Sequence, residues 1–216
     1  MHPIVREQFP AFTTQFEGRV ATMYLDVLGL VTVGVGCLID SPDGAGRLPF
    51  VHKNGTVAPH SEIVAAWHNL KNHQELSKKH WKFAAPYTYG LYLPEAAIDD
   101  LLRERLDAND AIFAKTFDGW EDFPPEAQLA IHSMGWAMGA GFPAEWGNLS
   151  ASIRKRDWAA CAENCKIREA GNPGIVPRNK ANKALFEAAA YAVAHPVPAG
   201  ITEDDRERIS SAPSRR

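Results

Sequence analysis

Residues 16–38 read FEGRVATMYLDVLGLVTVGVGCL, and along them the spacing of the apolar side chains changes from helical to extended. A short helix is predicted from Pro10 to Phe16, with Gly18 as its left-handed cap. From Val31 onward valines alternate with threonine and glycine, a pattern typical of a strand with one β-branched face and one face of very small side chains. Residues 26–29 (DVLG), just before that strand, predict the turn of a hairpin.

The rest of the chain is mainly helical by pattern. Residues 41–46 have the composition of a loop, Asn54-Gly55 predicts a second hairpin, and a helix is predicted from about 61 to 80. A longer helix is predicted from Glu95 to about 113, and nearly everything after it has helical spacing. We therefore expect an α+β, mainly helical fold: a small N-terminal lobe with β-hairpins and a larger C-terminal helical lobe, joined by the long helix.

These elements predict a single domain over residues 1–195. Residues 9–93 would form the N-terminal lobe, including an enlarged insertion at 41–93, and residues 94–195 the helical lobe. The segment 196–216 is rich in proline, serine and charged residues and is expected to be a mobile tail. Two lobes joined in this way leave a cleft, where ligands tend to bind.

Composition excludes several classes of protein. The 216 residues are 45% apolar and 23% charged, as in an ordinary globular domain, and the net charge of −3 argues against a nucleic-acid binder. Three cysteines are too few for a disulfide framework, and no His or Cys near Cys161 and Cys165 completes a zinc site. No apolar run has the roughly 18 residues needed for a membrane span, and no cleavable secretory signal is visible.

Two acidic residues and a hydroxyl form the pattern that points to chemistry. Glu17 lies where a helix should end, Asp26 at the end of the first strand and Thr32 on the second. Glycoside hydrolysis needs one carboxylic acid that donates a proton and a second carboxylate that attacks carbon or activates water. Gly34 and Gly36 share a predicted strand face with Thr32, where the absence of side chains would let a sugar ring approach the backbone.

The same residues carry a family resemblance. A Glu, an Asp nine residues on and a Thr six further on, with the flanking glycines and Tyr24, resemble the catalytic start of the phage-type (T4-like) lysozymes, the glycoside hydrolase family 24 muramidases. The resemblance spans about residues 9–40 and 94–195. It implies the catalytic residues Glu17, Asp26 and Thr32.

Further positions follow from the resemblance. The segment AIHSMGWAMG (130–139) is similar to the family's helix beside the cleft, with Trp136 at its aromatic position. The basic residue near the catalytic acid falls on Lys180 without a gap, or on Arg178 with a small shift, and the sequence does not choose between them. The expected sugar-binding residues are Gly34, Gly36, Leu38 and Trp136.

The implied activity is that of a lysozyme (EC 3.2.1.17), which hydrolyses the β-1,4 bond between N-acetylmuramic acid and N-acetylglucosamine, with inversion and without metal or cofactor. The alternative is a glycan-binding relative that has lost catalysis. Three features depart from the family: Cys37 replaces a frequent histidine, residues 41–93 are longer and different, and the chain is not basic.

The expected partner is a peptidoglycan glycan strand, with an immunity or delivery protein as a further candidate. Without a visible signal peptide, the chain would be made in the cytoplasm and reach the cell wall in the periplasm by holin-type release or by injection. A phage endolysin, a virion-borne lysozyme and an injected antibacterial effector all fit this pattern.

Overall fold

The computed structural model describes residues 1–196. The tail expected at 196–216 therefore lies outside the described residues, apart from Pro196. The described part is mainly helical and contains a small three-stranded antiparallel sheet, which confirms the α+β, mainly helical class. Its elements are α1 (Pro3–Glu17), β1 (Val20–Leu25), β2 (Val31–Gly34), β3 (Cys37–Leu38), α2 (Pro42–Gly46), α3 (His60–Lys71), α4 (Glu95–Thr116), α5 (Pro125–Met138), α6 (Gly147–Arg154), α7 (Trp158–Asn164) and α8 (Ile175–Ala194).

Helix α1 is longer than the sequence predicted. It begins at Pro3, with the His2 ring accepting a hydrogen bond from the backbone N–H of Ile4, and Pro10 lies inside it rather than at its first position. A proline there removes one backbone hydrogen bond. The predicted exit is confirmed: Gly18 adopts a φ of +71° and donates its N–H to the Thr14 carbonyl at 3.0 Å.

The sheet has the strand order β1-β2-β3, and the turn predicted between β1 and β2 is confirmed by a bond from Gly29 N–H to the Asp26 carbonyl at 2.9 Å. The prediction of one continuous strand through residue 36 was wrong. β2 ends at Gly34, and the chain reverses so that Cys37 pairs with Val33. Both glycines of this reversal have positive φ, +66° at Gly34 and +67° at Gly36, which explains why alternating glycines form a turn.

The insertion differs from its prediction in two places. The expected loop at 41–46 is the short helix α2, because Ser41 caps it by accepting the N–H of Gly44. Helix α3 ends at Lys71 rather than near residue 80, and three 3₁₀ turns follow it. The Asn54-Gly55 hairpin is confirmed by a bond from the His52 N–H to the Thr56 carbonyl at 2.9 Å.

The insertion also covers an edge of the sheet. The N–H of Leu93 bonds to the Ala21 carbonyl of β1 at 2.7 Å, and the 3₁₀ turns at Gln74–Lys78, Trp81–Phe83 and Ala85–Thr88 pack beside the same strand. An uncovered edge strand would offer unpaired backbone groups to other chains. The insertion therefore covers β1, an edge strand of the sheet.

Two groups of buried apolar side chains hold these elements. One gathers α1, the sheet, α3 and the first half of α4, with Phe9, Val33 and Ile98 fully buried. The other gathers the end of α4 with α5 to α8, around Phe113, Trp120 and Phe186. None of the helices described in residues 1–196 is long and apolar enough to cross a bilayer.

Candidate active site

Glu17 is the last residue of α1, and its carboxyl group lies against the β2–β3 turn. A Cβ atom placed on Gly36 would lie 2.7 Å from Oε2 of Glu17, so the missing side chain makes room for the carboxyl group. Within residues 1–196, Oε2 has no hydrogen-bond partner, whereas Oε1 accepts one from Arg178. One oxygen of Glu17 is thus anchored and the other remains available.

Arg178, on α8, is the cation beside Glu17. Its guanidinium bonds to Oε1 of Glu17 through Nη2 and to the Ser133 carbonyl through Nη1 at 2.8 Å, and it lies 4.9 Å from the centre of the Phe16 ring. The residue is 1% exposed. Of the two candidates left open by the sequence, Arg178 is the charge partner, and Lys180 is exposed to solvent two residues further on.

Burial raises the pKa of Glu17 above its usual value of 4.5, although the Arg178 guanidinium and, more weakly, Arg105 oppose the effect. The direction of this pKa shift follows from the geometry. A single buried cation bonds to one oxygen, while most of the carboxyl group has lost its contact with water. Glu17 therefore holds its proton to a higher pH than a solvent-exposed glutamate does.

One face of the sheet lies beside this carboxyl group. Tyr24 pairs with Thr32 across β1 and β2, and Thr32 pairs with Leu38 across β2 and β3, so these three side chains share a face. Burial raises the pKa of Tyr24, and the charges of Glu17 and Asp26 raise it further. The tyrosine is therefore within electrostatic reach of both carboxylates, which links α1 to the hairpin.

Asp26 follows the last residue of β1, as predicted, and its carboxylate is oriented by the turn. Oδ1 accepts the backbone N–H groups of Leu28 at 2.8 Å and Leu30 at 2.9 Å. Oδ2 has no hydrogen-bond partner within the described chain. Thr32 donates its hydroxyl to the Leu30 carbonyl at 3.2 Å, which leaves the hydroxyl oxygen able to accept a bond. Asp26 and Thr32 are both fixed through Leu30.

The glycine positions have a different role from the one predicted. Gly34 and Gly36 lie in the β2–β3 turn and not on a flat strand face. The space at Gly36 is filled by the Glu17 carboxyl group, and a Cβ on Gly34 would come within 3.1 Å of Ile98. They serve close packing of the turn against α1 and α4. Leu38 is half exposed on the face that carries Thr32, where a ligand can reach it.

Trp136 does not offer a face for stacking, contrary to the expectation that it lines the sugar-binding surface. It is 4% exposed, its indole N–H donates to the Val35 carbonyl at 2.9 Å, and its ring packs tilted against Phe9 with centroids 5.2 Å apart. Its partner Val35 is the middle residue of the β2–β3 turn. Trp136 therefore supports the β2–β3 turn, against which the Glu17 carboxyl group lies.

Arg105 is the residue of this region that the sequence did not single out. Its guanidinium lies 4.9 Å from the centre of the Trp136 ring and bonds to the Gly36 carbonyl at 3.4 Å. In the sequence it belongs to the charged run 103–105, a pattern typical of a solvated helix face. Only the helical position of Arg105, seven residues after Ile98 on α4, hinted that it faces the sheet.

Cys37 is one of the residues by which the sequence departs from the lysozyme resemblance. It is 1% exposed, and burial raises the pKa of its thiol to about 11, with Arg105 opposing the shift. The thiol is therefore neutral and packs as a small apolar group. It cannot act as a charged partner at this position.

Other concave regions lie away from these residues. Two open depressions of about 620 Å³ each are described, one lined by residues such as His52, Asn54 and Tyr89, the other by residues such as Gln8 and Leu129. Neither includes Glu17, Asp26 or Thr32. Over residues 1–196, no group of three or more His, Cys, Asp or Glu side chains could hold a metal ion.

Comparison of the chain with protein-family models, with curated proteins and with solved structures gives no match. The residues of this region are a partly buried acid at a helix end, a carboxylate whose Oδ1 is held by a hairpin turn, a threonine hydroxyl on the same hairpin, and a buried guanidinium that bonds to the acid.

Proposed function

We propose that the chain is a muramidase, a glycoside hydrolase of the lysozyme type that cleaves the β-1,4 bond between N-acetylmuramic acid and N-acetylglucosamine. One observation carries the proposal. Glu17 combines a pKa raised by burial with one carboxyl oxygen that is free of protein hydrogen bonds within residues 1–196. A general acid needs both, a proton held near working pH and an oxygen that can reach the substrate.

In this mechanism Glu17 protonates the glycosidic oxygen as the bond to the anomeric carbon breaks. Arg178 holds Oε1, so that the proton resides on Oε2, and it stabilises the carboxylate that remains after the transfer. Because Arg178 is itself bonded to the Ser133 carbonyl, the acid is fixed in one orientation. The developing positive charge on the sugar ring then requires a second carboxylate.

Asp26 is that second group in the proposal. Two backbone N–H groups hold its Oδ1, and its Oδ2 has no hydrogen-bond partner within the described residues. Oδ2 would take a proton from the attacking water, and the Thr32 oxygen would accept a hydrogen bond from the same water. Attack from the side opposite the leaving group inverts the anomeric carbon, as the lysozyme resemblance implies.

The proposal extends to the arrangement of the whole chain. The sheet with its insertion and the helices α5 to α8 would form the two sides of a cleft that receives a peptidoglycan strand. The natural settings remain a phage endolysin, a virion-borne lysozyme or an injected antibacterial effector, each acting on the cell wall in the periplasm. An inactive glycan-binding relative is the competing interpretation.

The decisive experiment measures turnover of purified peptidoglycan by the wild type, by Glu17→Gln and by Glu7→Gln. Glu7 is an exposed residue of the same helix and gives a matched control for the substitution. We expect Glu17→Gln to lose about 10²- to 10⁴-fold in rate, since a glutamine cannot donate the proton. Glu7→Gln should retain wild-type activity.

Two outcomes would contradict the proposal. Equal turnover by the wild type and Glu17→Gln, both folded by circular dichroism, would remove Glu17 as the acid. Peptidoglycan binding without turnover by the wild type itself would identify the inactive glycan-binding relative instead.

A further inference from the structure

Six consecutive residues of the insertion are exposed, and they include three lysines and two large aromatic side chains that the proposed mechanism does not use. They run from Lys78 to Phe83 and form a segment called the basic aromatic arc. Trp81 is 44% exposed and Phe83 is 51% exposed. Single exposed apolar residues are common, but a tryptophan and a phenylalanine exposed two residues apart and flanked by lysines indicate a surface with a partner.

The arc is ordered even though it is exposed. Leu76 before it and Ala84 after it are 5% and 2% exposed and belong to the apolar core beside the sheet. Backbone bonds from Lys79 to Leu76 at 3.0 Å and from Phe83 to His80 at 3.0 Å hold the chain between these two anchors. A surface fixed in this way loses little conformational entropy when it binds.

The charge of the arc is opposite to that of the chain. Lys78, Lys79 and Lys82 give it a formal charge of +3 without any acidic residue, whereas the whole chain carries −3. Across the described chain, residues 1–196, none of these lysines forms an ion pair. The carboxylate of Glu75, which precedes the arc, contacts the His73 ring at 2.9 Å. The Lys82 ammonium lies 5.5 Å from the centre of the Phe83 ring, and within residues 1–196 none of the three ammonium groups pairs with a carboxylate, so all three can meet an anionic partner.

The aromatic side chains decide which anionic partner fits best. Trp81 has an apolar ring and one polar N–H, the combination that favours the boundary between lipid headgroups and acyl chains. Phe83 has no polar group, so its gain on binding comes from leaving water for an apolar medium. A hydrated anionic polymer would satisfy the lysines but would not supply that medium.

We propose that the basic aromatic arc docks the protein on an anionic phospholipid membrane, with Trp81 and Phe83 at the interface and the three lysines against the headgroups. The inference does not depend on muramidase activity, since binding is measured without a glycan. Membrane attachment of a peripheral protein usually requires two signals, and here apolar insertion and basic charge occur in one ordered segment.

The test is co-sedimentation of the full chain with vesicles. One set contains phosphatidylglycerol and phosphatidylcholine, and the other contains phosphatidylcholine alone. We expect binding to the anionic vesicles that weakens at high salt and little binding to the neutral ones. At roughly fivefold for each lysine, Lys78→Glu/Lys79→Glu/Lys82→Glu should reduce the partition coefficient more than 100-fold.

A matched control keeps the total charge equal. Lys53, Lys115 and Lys155 are exposed lysines outside the arc, and their triple replacement by glutamate produces the same net charge as the arc variant. The control should bind almost as the wild type does. If both triple variants lose binding equally, the effect is one of overall charge and the arc has no special role.

Tryptophan fluorescence provides a second readout. Trp81 is the exposed one among the six tryptophans, so a blue shift on adding anionic vesicles should come from it and disappear in Trp81→Phe. Binding without such a shift would show that the ring stays in water and would contradict the proposed insertion. Binding to purified peptidoglycan through the same lysines, but not to vesicles, would identify an anionic cell-wall polymer as the partner instead.

Discussion

Two partly buried carboxylates of this protein have nearly equal exposure and opposite behaviour. The side chain of Glu17 is 26% exposed and its pKa is raised, whereas the side chain of Asp110 is 22% exposed and its pKa is lowered to about 2. Burial raises the pKa of both, and although the two side chains are similarly exposed, Glu17 is surrounded by more protein than Asp110 is. The hydrogen-bond donors around the two carboxylates also differ, and they decide whether the effect of burial is overcome.

Asp110 is surrounded by donors. Trp120 donates its indole N–H at 2.7 Å, His132 contacts the same oxygen at 3.3 Å, and the amino group of Met1 bonds to the other oxygen at 3.2 Å. These bonds overcome the effect of burial on the pKa of Asp110. Glu17 has one donor residue, Arg178, and its second oxygen is unpaired within the described residues.

Under the proposed function, the comparison separates a carboxylate that stabilises the fold from one whose protonation would serve catalysis. A fully bonded carboxylate stabilises the folded state wherever it is ionised. A buried acid with one free oxygen lowers the free energy of unfolding when it ionises, and proteins tolerate such groups mainly where they act.

The largest expected effect comes from filling the space beside Glu17. Gly36→Ala would place a methyl group 2.7 Å from Oε2 of Glu17, on a residue with a φ of +67°. Displacing the acid by even about 1 Å can reduce catalysis about 100-fold. We expect a loss of that size in peptidoglycan turnover, together with a backbone cost of about 1 kcal/mol in unfolding free energy.

Gly55→Ala is the matched control for that substitution. Gly55 also has a positive φ, +84°, but no atom lies within 4 Å of the added Cβ. The control should show a similar loss of stability on urea denaturation and no loss of turnover. Equal loss of turnover in the two variants would show that backbone strain, and not contact with Glu17, is responsible.

The region around Gly36 shows which features the sequence could predict and which it could not. The spacing of Glu17, Asp26 and Thr32, the hairpin turn and the helical character of the second half could all be predicted, because each depends on local pattern. The reversal at Gly34 to Gly36 could not, since alternating glycines suit an extended strand as well as a tight turn. The strand pairing that decides between them is a tertiary effect.

The surroundings of the acid depended on tertiary structure even more. Arg178 and Lys180 were equally acceptable in sequence, and only the packing of α8 against α5 buries one and exposes the other. Trp136 was expected to be at the surface because aromatic residues bind sugars, yet its N–H bonds to Val35 in the interior. Whether the pKa of Glu17 is raised or lowered depends on how deeply its carboxyl group is buried and on which cation contacts it, and the sequence shows neither.

The next effect in size concerns Asp110, whose pKa lies below its usual value of 3.8, at about 2. A lowered pKa means that the carboxylate stabilises the protein above about pH 4 and that this contribution is lost as the pH falls toward 2. We expect Asp110→Asn to reduce the unfolding free energy at pH 7 by about 2 kcal/mol, at 1.36 kcal/mol per pKa unit. Urea denaturation measures this, and turnover by the folded variant should be unchanged.

Asp107→Asn on the same helix provides the comparison. Asp107 forms a bidentate pair with Arg6 at the surface, both half exposed, and such pairs contribute at most about 1 kcal/mol. If the two variants lose equal stability, the donors around Asp110 add nothing beyond a surface ion pair. Asp110 would then not be a carboxylate that stabilises the fold through its donors, and the contrast with Glu17 would fail.

The smallest effect is the stability of Glu17→Gln as a function of pH. A carboxyl group whose pKa is raised in the folded state contributes most below its usual value of 4.5, and the contribution is lost as the pH rises through the folded pKa. The wild type should therefore become less stable relative to Glu17→Gln between pH 4 and pH 7, whereas its stability relative to Asp110→Asn should stay nearly constant over that interval and fall only at lower pH. The change should be smaller than the loss of stability expected for Asp110→Asn at pH 7, because Arg178 cancels part of the burial effect on Glu17. Urea denaturation of both proteins at pH 4 and pH 7 shows whether the stability difference between them rises or falls.

A wild type that gains stability relative to Glu17→Gln over this interval would mean that Arg178 outweighs burial, so that Glu17 is ionised at neutral pH and unable to serve as the acid.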